Sequence, residues 1–256
     1  MASSLSPIGV SLRRNDPDRF FTALFAPAEK RETLFTLYAF NHELARAREV
    51  TREPMIALMR LRWWREVIEG ARKSHEIASP LRDALDRGDL DPADLAEMID
   101  AREIEADSSI PTLDDWLAYL HSSAGALSVA ASRLLGAPDP EATRPLGAAY
   151  GAAGVLRSVP FHAAQQRCLL PADILARHGL SPEAVIAVPH SEPVRAVIKD
   201  LARVGQGMLR PVKLPRSARA AGLVAALARR DLHRVPDVSR RGLGDKFAVT
   251  QNYLFG

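Results

Sequence analysis

A few carboxylates are the residue types best suited to chemistry in this sequence. Glu103 and Asp107 are four residues apart, a spacing that places two side chains on one face of a helix. Such a pair could share a divalent cation, because hard cations prefer oxygen ligands. The simpler interpretation is a solvated helix face beside Arg102. Asp114 and Asp115 stand where a helix is predicted to begin. The positive end of the helix dipole stabilises carboxylates at this position, so capping is the simpler interpretation.

A second cluster combines aromatic and basic residues. Trp63 and Trp64 lie among three arginines, Arg60, Arg62 and Arg65. The cluster could bind an anion beside an aromatic face, or Trp63 could belong to the core with the arginine stems covering it. The sequence contains no Gly-rich phosphate loop, GxSxG or HExxH motif. The usual signatures of nucleotide binding, acyl transfer and zinc-protease chemistry are therefore absent.

Composition excludes further classes of function. The chain has 256 residues, is 47% hydrophobic and 25% charged, as expected for a globular protein with a substantial core. A net charge of +3 gives no reason to expect nucleic acid, whose partners carry a clustered basic face. The single cysteine, Cys168, excludes an internal disulfide and a cysteine zinc site; we expect it to be a small buried residue.

The candidate side chains must be positioned by helices, and prolines mark where those helices begin and end. Eighteen prolines divide the chain into segments of helical length, since proline belongs to first turns or follows helix ends. Apolar residues at three- and four-residue intervals predict helices over 31–48 and 55–70. Asp91 before Pro92 predicts an N-cap, and Thr112 with Asp115 resembles a capping box opening a helix that Gly136 ends.

The remaining segments complete an all-α prediction. No stretch alternates with a two-residue period, so strands are not predicted. We expect about eight helices in one domain over residues 1–256, with 1–17 and 241–256 peripheral or flexible. Beyond the segments already named, helices are predicted over 112–135, 141–159, 191–210 and 216–234, and polar loops over 72–91 and 234–245.

Five segments together resemble the squalene/phytoene synthase family. The resemblance covers residues 18–235 and lies in the order and spacing of its pieces. They are FTLYAFN at 35–41, LMRLRWWRE at 58–66, the Tyr-to-Gly segment at 119–125, the helix at 146–157, and RCLLPAD at 167–173. The resemblance implies the all-α isoprenoid (terpenoid) synthase fold, a single helical domain around a central cavity. It also implies an activity in which two aspartate-rich motifs hold Mg²⁺ against a prenyl diphosphate.

This sequence departs from the family at both metal-binding motifs. The resemblance places the first motif's aspartates at Ala45, Arg46 and Glu49, so one carboxylate of three remains. It places the second motif's aspartates at Ser158 and His162, where neither is acidic. Without carboxylates to hold Mg²⁺, the charge of a departing diphosphate is poorly stabilised.

Pro160 adds a structural lesion to the second motif. It lies between the two former aspartate positions and disfavours a helical conformation at the preceding residue. The helix that should present both ligands is therefore predicted to be broken. We expect a non-catalytic member of the family, a pseudoenzyme that needs neither a metal nor another cofactor.

The altered motifs resemble one branch of the family. The strings AFNHELA, VLRSVPFH and LLPADILARHGLS are similar to members that act in the assembly of respiratory complex I (NADH:ubiquinone oxidoreductase). This resemblance implies a complex I subunit or assembly intermediate as the protein partner. Two alternatives stay open: a Mg²⁺-dependent head-to-head prenyltransferase using Glu43, Glu49, Glu103 and Asp107, and a lipid- or isoprenoid-binding protein.

The resemblance also names the residues of the altered cavity. Tyr38, Asn41 and His42 would line it, and Arg157, Arg167 and Arg46 could supply contacts to an anionic or prenylated lipid. The simpler interpretation is a filled cavity without a ligand. No apolar stretch reaches the length that spans a bilayer, so a cytoplasmic protein is expected. Peripheral contact with an inner membrane is compatible with that expectation, as is a mitochondrial matrix location in a eukaryotic host.

Overall fold

The computed structural model describes residues 5–51, 53–107, 109–237 and 242–255, and the regular secondary structure of this part of the chain is almost entirely helical. The α-helices are α1 (Pro7–Asn15), α2 (Pro17–Ala23), α3 (Ala28–Glu49), α4 (Pro54–Ile68), α5 (Ala78–Asp86), α6 (Pro92–Glu103), α7 (Leu113–Leu120), α8 (Ala126–Leu134), α9 (Arg144–Arg157), α10 (Val159–Ala164), α11 (Ala172–Arg177), α12 (Pro182–Ala187), α13 (Glu192–Gly207), α14 (Arg219–Gly222), α15 (Val224–Arg234) and α16 (Leu243–Phe255). Short 3₁₀ segments cover Ile104–Ala106 and Pro140–Thr143, and a π-helical segment covers His121–Gly125.

Capping follows the sequence closely. The backbone N–H of Ala93 donates to Asp91 Oδ1 at 2.9 Å, and Pro92 is the first residue of α6. At α7, the Asp115 N–H donates to Thr112 Oγ1 at 3.1 Å, and the Thr112 N–H donates to Asp115 Oδ2 at 3.2 Å. The predicted N-cap and capping box are therefore both confirmed. Each satisfies backbone donors that the first turn of a helix leaves without a partner.

Two expectations about local structure are wrong. The predicted loop over 72–91 contains α5, because Leu81, Ala84 and Leu85 recur at helical intervals and are buried, a short apolar face within a polar segment. The predicted absence of strands fails at a two-stranded parallel sheet, where β1 (Ser109–Ile110) pairs with β2 (Cys168–Pro171). Cys168 is buried in this sheet.

The segment 234–245 is only partly a loop. Residues 238–241 lie outside the described part of the chain, and α16 begins at Leu243. Of the two segments expected to be peripheral, the described part of 1–17 contains α1, which packs on α3 through buried Leu12. The described part of 241–256 forms α16, which packs on α15.

The predicted helix break near Pro160 is confirmed. Helix α9 ends at Arg157, and Ser158 has φ −96° and ψ 8°, outside the helical region. Helix α10 begins at Val159, with Pro160 in its first turn. The break falls at Ser158 because a first-turn proline is tolerated, whereas the same proline deep in a continuous helix would remove a hydrogen bond and clash.

Two groups of apolar side chains form the interior. One lies mainly between α3, α4, α5, α6 and α8, and the other between α7, α9, α13 and α15. Phe25, after α2, packs against both groups. None of the described helices is both long and apolar enough to span a bilayer.

Helix α9 approaches its neighbour closely at a glycine. A Cβ atom added at Gly147 would lie 2.3 Å from the backbone oxygen of Ala124 in the π-helical segment and 2.4 Å from Ser128 Oγ in α8. Glycine is therefore required for this contact. The contact seats the π-helical segment against α9, and Ser123 and Ala124 of that segment line the cavity described below.

Substituting this glycine should weaken the whole fold. We expect Gly147→Ala to lower the free energy of unfolding by about 2 kcal/mol, because the backbone oxygen cannot yield as a flexible side chain can. Chemical denaturation followed by circular dichroism measures the effect.

Gly154, on the same helix, is the matched control. An added Cβ there meets no heavy atom within 4 Å, so Gly154→Ala should leave stability unchanged or raise it by up to about 1 kcal/mol. Equal losses in the two variants would contradict the close contact.

Candidate functional site

A cavity of about 480 Å³ opens between α3, α9 and α10 and is closed on other sides by α6, α7 and the start of α2. Polar and apolar atoms share its wall. The lining residues are Asn15, Asp16, Pro17, Asp18, Arg19, Asn41, His42, Ala45, Glu49, Arg102, Glu105, Tyr119, Leu120, Ser123, Ala124, Tyr150, Gly151, Gly154, Val155, Arg157, Ser158, Phe161, His162 and Leu169.

Helix α3 supplies the wall that corresponds to the first aspartate-rich motif. Asn41, Ala45 and Glu49 are spaced by four residues along α3 and line the cavity, as does His42. Ala45 adds only a methyl group, so Glu49 is the one carboxylate at the three motif positions. Partial burial and the negative charge of nearby Glu105 raise the pKa of Glu49.

Arg46 lies outside this wall. Its Nη1 donates to Glu43 Oε1 at 3.0 Å, and Arg60 of α4 reaches the other oxygen of Glu43 at 3.9 Å. Both arginines therefore engage Glu43 on the side of α3 that faces α4. Neither Arg46 nor Glu43 is among the residues that line the cavity.

The broken junction of α9 and α10 supplies the opposite wall. Arg157, Ser158 and His162 line the cavity across from α3, so residues that the resemblance assigns to the two motifs share one cavity. Arg157 is paired, since its Nη1 lies 2.9 Å from an oxygen of fully buried Asp231 in α15. Burial and the positive charge of Arg167 lower the pKa of His162 to about 4, so this imidazole is neutral at pH 7.

Glu105 forms the base of the cavity and collects three donors. Arg102 Nη1, Tyr119 Oη and Arg167 Nη2 donate to its carboxylate at 2.6, 2.7 and 2.8 Å. Burial alone would raise the pKa of Glu105, but the two guanidinium charges and the hydrogen bonds outweigh it and hold the pKa at about 2. Glu105 is therefore a fixed anion that neutralises arginine charge.

Two predicted cavity contacts lie behind the wall. Arg167 is almost fully buried and reaches Glu105 instead of the cavity surface. Tyr38 is buried too, with the Arg19 guanidinium 5.9 Å from its ring centroid. Arg19 itself reaches the cavity, where it stacks 4.9 Å from the Tyr150 ring and pairs with Asp16 at 2.9 Å.

The proposed Glu103–Asp107 pair does not share a helical face. Helix α6 ends at Glu103, and a 3₁₀ segment separates it from Asp107, whose backbone is extended. Glu103 lies 3.6 Å from Arg65 of α4, and neither carboxylate lines the cavity. The core position predicted for Trp63 is wrong: its neighbour Trp64 is the buried core residue, whereas Trp63 is partly exposed beside an outer groove.

The residues present do not fit the Mg²⁺ ions that the family fold implies. Four carboxylates line the cavity, and three are engaged: Asp16 by Arg19, Asp18 by the Tyr150 hydroxyl at 2.9 Å, and Glu105 by its three donors. Within the described part of the chain, no group of three His, Cys, Asp or Glu side chains could hold a metal ion. Magnesium requires several oxygen ligands in near-octahedral geometry, and these side chains do not provide them.

Sequence reasoning missed the residues that balance charge in the cavity. They are Asp16, Arg19, Arg102, Glu105 and Tyr150. For Asp16 and Arg19, the sequence does offer one indication, an N-cap pattern at Asp16 before Pro17. Nothing in the sequence marks Glu105 as buried, since its role comes from Arg167, which lies 62 residues away along the chain.

The Glu105 cluster should dominate acid stability. We expect Glu105→Gln to lower the free energy of unfolding at pH 7 by about 3 kcal/mol, because it leaves two buried guanidinium groups without a counter-charge. The folded-state pKa of about 2 lies below the ordinary value of 4.5. The carboxylate's contribution is therefore complete above pH 4.5 and is lost as the pH falls towards 2.

The measurement is urea denaturation of wild type and Glu105→Gln at a series of pH values. The difference between their free energies of unfolding should become smaller as the pH falls from 5 to 2. Glu103→Gln is the matched control, because an exposed carboxylate 3.6 Å from its partner should contribute less than about 0.5 kcal/mol. A difference between wild type and Glu105→Gln that stays constant from pH 5 to pH 2 would contradict the assigned ionisation.

Comparison with known proteins identifies the fold. A dehydrosqualene synthase solved in complex with a ligand superposes with a TM-score of 0.79 at 16% identity, covering 96% of this chain and 94% of that one. Squalene synthase HpnC from Alicyclobacillus acidocaldarius superposes with a TM-score of 0.65 at 18% identity, covering 96% and 93%. The predicted all-α isoprenoid synthase fold is therefore confirmed.

Sequence comparison adds relatives of higher identity. NADH dehydrogenase (ubiquinone) complex I, assembly factor 6 of Homo sapiens is 31% identical over 202 residues, which are 75% of this chain and 60% of that protein. The homolog from Drosophila melanogaster is 29% identical over 188 residues, 68% of this chain and 56% of that protein. The chain thus spans about three fifths of the length of these relatives. The model of the squalene/phytoene synthase family matches residues 12–249, and the chain belongs to that family.

Proposed function

We propose that this protein is a non-catalytic member of its family that acts in the assembly of respiratory complex I. One observation carries the first half: apart from Arg46, the residues that the resemblance places at the two aspartate-rich motifs line the same cavity, yet they are Ala45, Ser158 and His162, with Glu49 as the remaining carboxylate. The second half is supported by the similarity to complex I assembly factor 6. The protein partner is then a complex I subunit or an assembly intermediate.

Charge balance in the cavity supports the loss of chemistry. In the family reaction as the resemblance describes it, Mg²⁺ compensates the negative charge that develops on a diphosphate. Here Arg19, Arg102 and Arg157 are each paired with a carboxylate of this chain. A diphosphate would therefore have to displace existing ion pairs, without a bound Mg²⁺ to compensate its negative charge.

The two alternatives are less well supported. For a working prenyltransferase, Glu43, Glu103 and Asp107 would need to converge with Glu49, and none of the three lines the cavity. For a lipid-binding protein, the supporting feature is the cavity volume of about 480 Å³, which falls in the range of small-molecule sites. The contacts of this cavity with a ligand, including those of Asn41, His42 and Arg157, remain a proposal.

We also propose that residues 1–256 form one domain. Phe25 packs against both apolar groups of the interior, and the degenerate motifs on α3 and α9–α10 meet across one cavity. A location in the compartment that houses complex I assembly, the cytoplasmic face in a bacterium or the matrix in a eukaryote, follows from the proposed partner.

Genetic complementation tests the proposed function. Deletion of the gene should lower the amount of assembled complex I on native gels, and the wild-type gene should restore it. We expect Glu49→Gln to restore assembly fully, because the remaining carboxylate of the first motif performs no metal chemistry in this account. Full assembly in the deletion strain would contradict the complex I role.

Glu105→Gln is the control variant for a folding defect, and immunoblotting compares the protein levels. If Glu49→Gln failed to restore assembly at wild-type protein level, the carboxylate would have a function and the protein would not be a simple pseudoenzyme.

A further inference from the structure

A recess separate from the central cavity opens where the connection between α2 and α3 meets α16 and the connection between α13 and α14. It has a volume of about 570 Å³ and, among the described residues, shares none of its lining with the cavity. We use the name basic recess for the six lining residues Leu24, Phe25, Arg31, Arg216, Ser217 and Tyr253.

The floor of the basic recess is apolar. The ring centroids of Phe25 and Tyr253 lie 4.9 Å apart, and both side chains are partly buried. Leu24 lines the recess as well, with 39% of its surface exposed. Removal of apolar surface from water favours association, so this floor suits an apolar side chain of a partner.

The rim of the basic recess is cationic. Arg216 is exposed and forms no ion pair with any residue that the structure describes. Arg31 Nη2 donates to the backbone oxygens of Leu24 and Ala26 at 3.1 and 2.9 Å. These carbonyl groups orient the guanidinium group but do not neutralise its charge. No described lining residue of the recess is acidic, so two positive charges stand there without a counter-charge.

The chain around the connection between α13 and α14 has an unusual charge pattern. Residues 201–230 contain no aspartate or glutamate, although the whole chain is nearly balanced, with 34 basic and 31 acidic residues. Arg210 and Lys213, which lie in the same connection as Arg216, are exposed as well. Exposed cations of this connection therefore extend the positive charge of the rim.

We infer that the basic recess binds an acidic segment of a partner protein, one that carries leucine or phenylalanine next to its carboxylates. The apolar side chain would cover the floor, and the carboxylates would pair with Arg31 and Arg216. Arginine suits this contact because its planar guanidinium group presents several donors to a carboxylate. The exposed Ser217 hydroxyl adds a further donor. The inference extends the proposed role in assembly by naming a docking surface, and it does not depend on which complex the partner belongs to.

Other anionic partners match only part of the recess. A flat bilayer would contact exposed Arg216 but not the partly buried rings of Phe25 and Tyr253. The phosphates of a nucleic acid would pair with the arginines and leave the apolar floor uncovered. A small amphiphile would stay largely in water, because Leu24, Arg216 and Ser217 are open to solvent, whereas small-molecule sites enclose most of their ligand. A protein segment covers the floor and the rim together.

Fluorescence anisotropy with three labelled peptides tests this inference on the full-length chain. The probe peptide alternates glutamate and aspartate with leucine and phenylalanine. In one comparison peptide serine replaces the apolar residues, and in the other lysine replaces the acidic ones. We expect saturable binding of the probe that weakens as salt is added, because exposed charges are screened. Both comparison peptides should bind at least about tenfold more weakly, since each lacks one half of the contact.

Variants of the chain locate the contact. Arg216→Glu should weaken binding of the probe about tenfold, because a repulsive charge replaces an attractive one at the rim. Arg229→Glu is the matched control, since it makes the same charge change at another exposed position of the acid-free run. Leu24→Ser should also weaken binding, whereas Val188→Ser, at a side chain that is 57% exposed outside the recess, should not. All four variants should keep the circular dichroism spectrum of wild type.

The inference would be overturned if the probe peptide did not bind saturably. Equal binding by wild type, Arg216→Glu and Leu24→Ser would also overturn it, since the contact would then lie on another surface. Binding to phosphatidylglycerol vesicles or to single-stranded DNA that Arg216→Glu abolishes, without any peptide binding, would assign the rim to lipid or nucleic acid. The proposed function fails separately, because full complex I assembly in the deletion strain contradicts it whatever the peptides do.

Discussion

A single buried anion organises the centre of this molecule. Glu105 follows α6 and binds Arg102 from that helix, Tyr119 from α7 and Arg167 from the turn before β2. Burying one carboxylate with two guanidinium groups is costly unless the hydrogen bonds are well made, and here three donors reach the carboxylate. The cluster ties distant parts of the chain together at the base of the cavity and fixes where its charges lie.

That arrangement explains how the family cavity can persist without metal ions. A site built to hold Mg²⁺ concentrates carboxylates, which repel one another when the metal is absent. In this chain three of the four carboxylates on the wall, Asp16, Asp18 and Glu105, are matched by arginines and tyrosines of the protein itself. At the motif positions alanine, serine and a neutral histidine replace further negative charge. In the non-catalytic role that we propose, these internal partners take the place of metal ions in balancing the charge of the cavity.

Much of the fold could be predicted from local rules. The cap at Asp91, the capping box at Thr112 and the break near Pro160 depend on residues a few positions apart, and such patterns are visible in one sequence. Helix α5 was missed because its apolar face covers little more than two turns within a polar segment. The short parallel strands were missed because their pairing joins Ser109 to Cys168, a contact that no local pattern encodes.

The candidate site likewise has a part that the sequence predicts and a part that it does not. The order of the family segments predicts Ala45, Glu49, Ser158 and His162 as the altered motif positions, and all four line the cavity. The direction of each long side chain could not be predicted, because it depends on distant partners: Arg46 turns to Glu43, and Arg167 turns to Glu105.

The most direct measurement concerns metal binding in the presence of a diphosphate. Titration of Mn²⁺, followed by electron paramagnetic resonance with a non-hydrolysable farnesyl diphosphate analogue present, reports ions held by the protein together with the ligand. A family synthase with intact aspartate motifs serves as the positive control. The account predicts that this chain immobilises no Mn²⁺ beyond what the analogue binds alone. Stoichiometric Mn²⁺ binding that Glu49→Gln abolishes would contradict it and would restore this cavity to the working enzymes of the family.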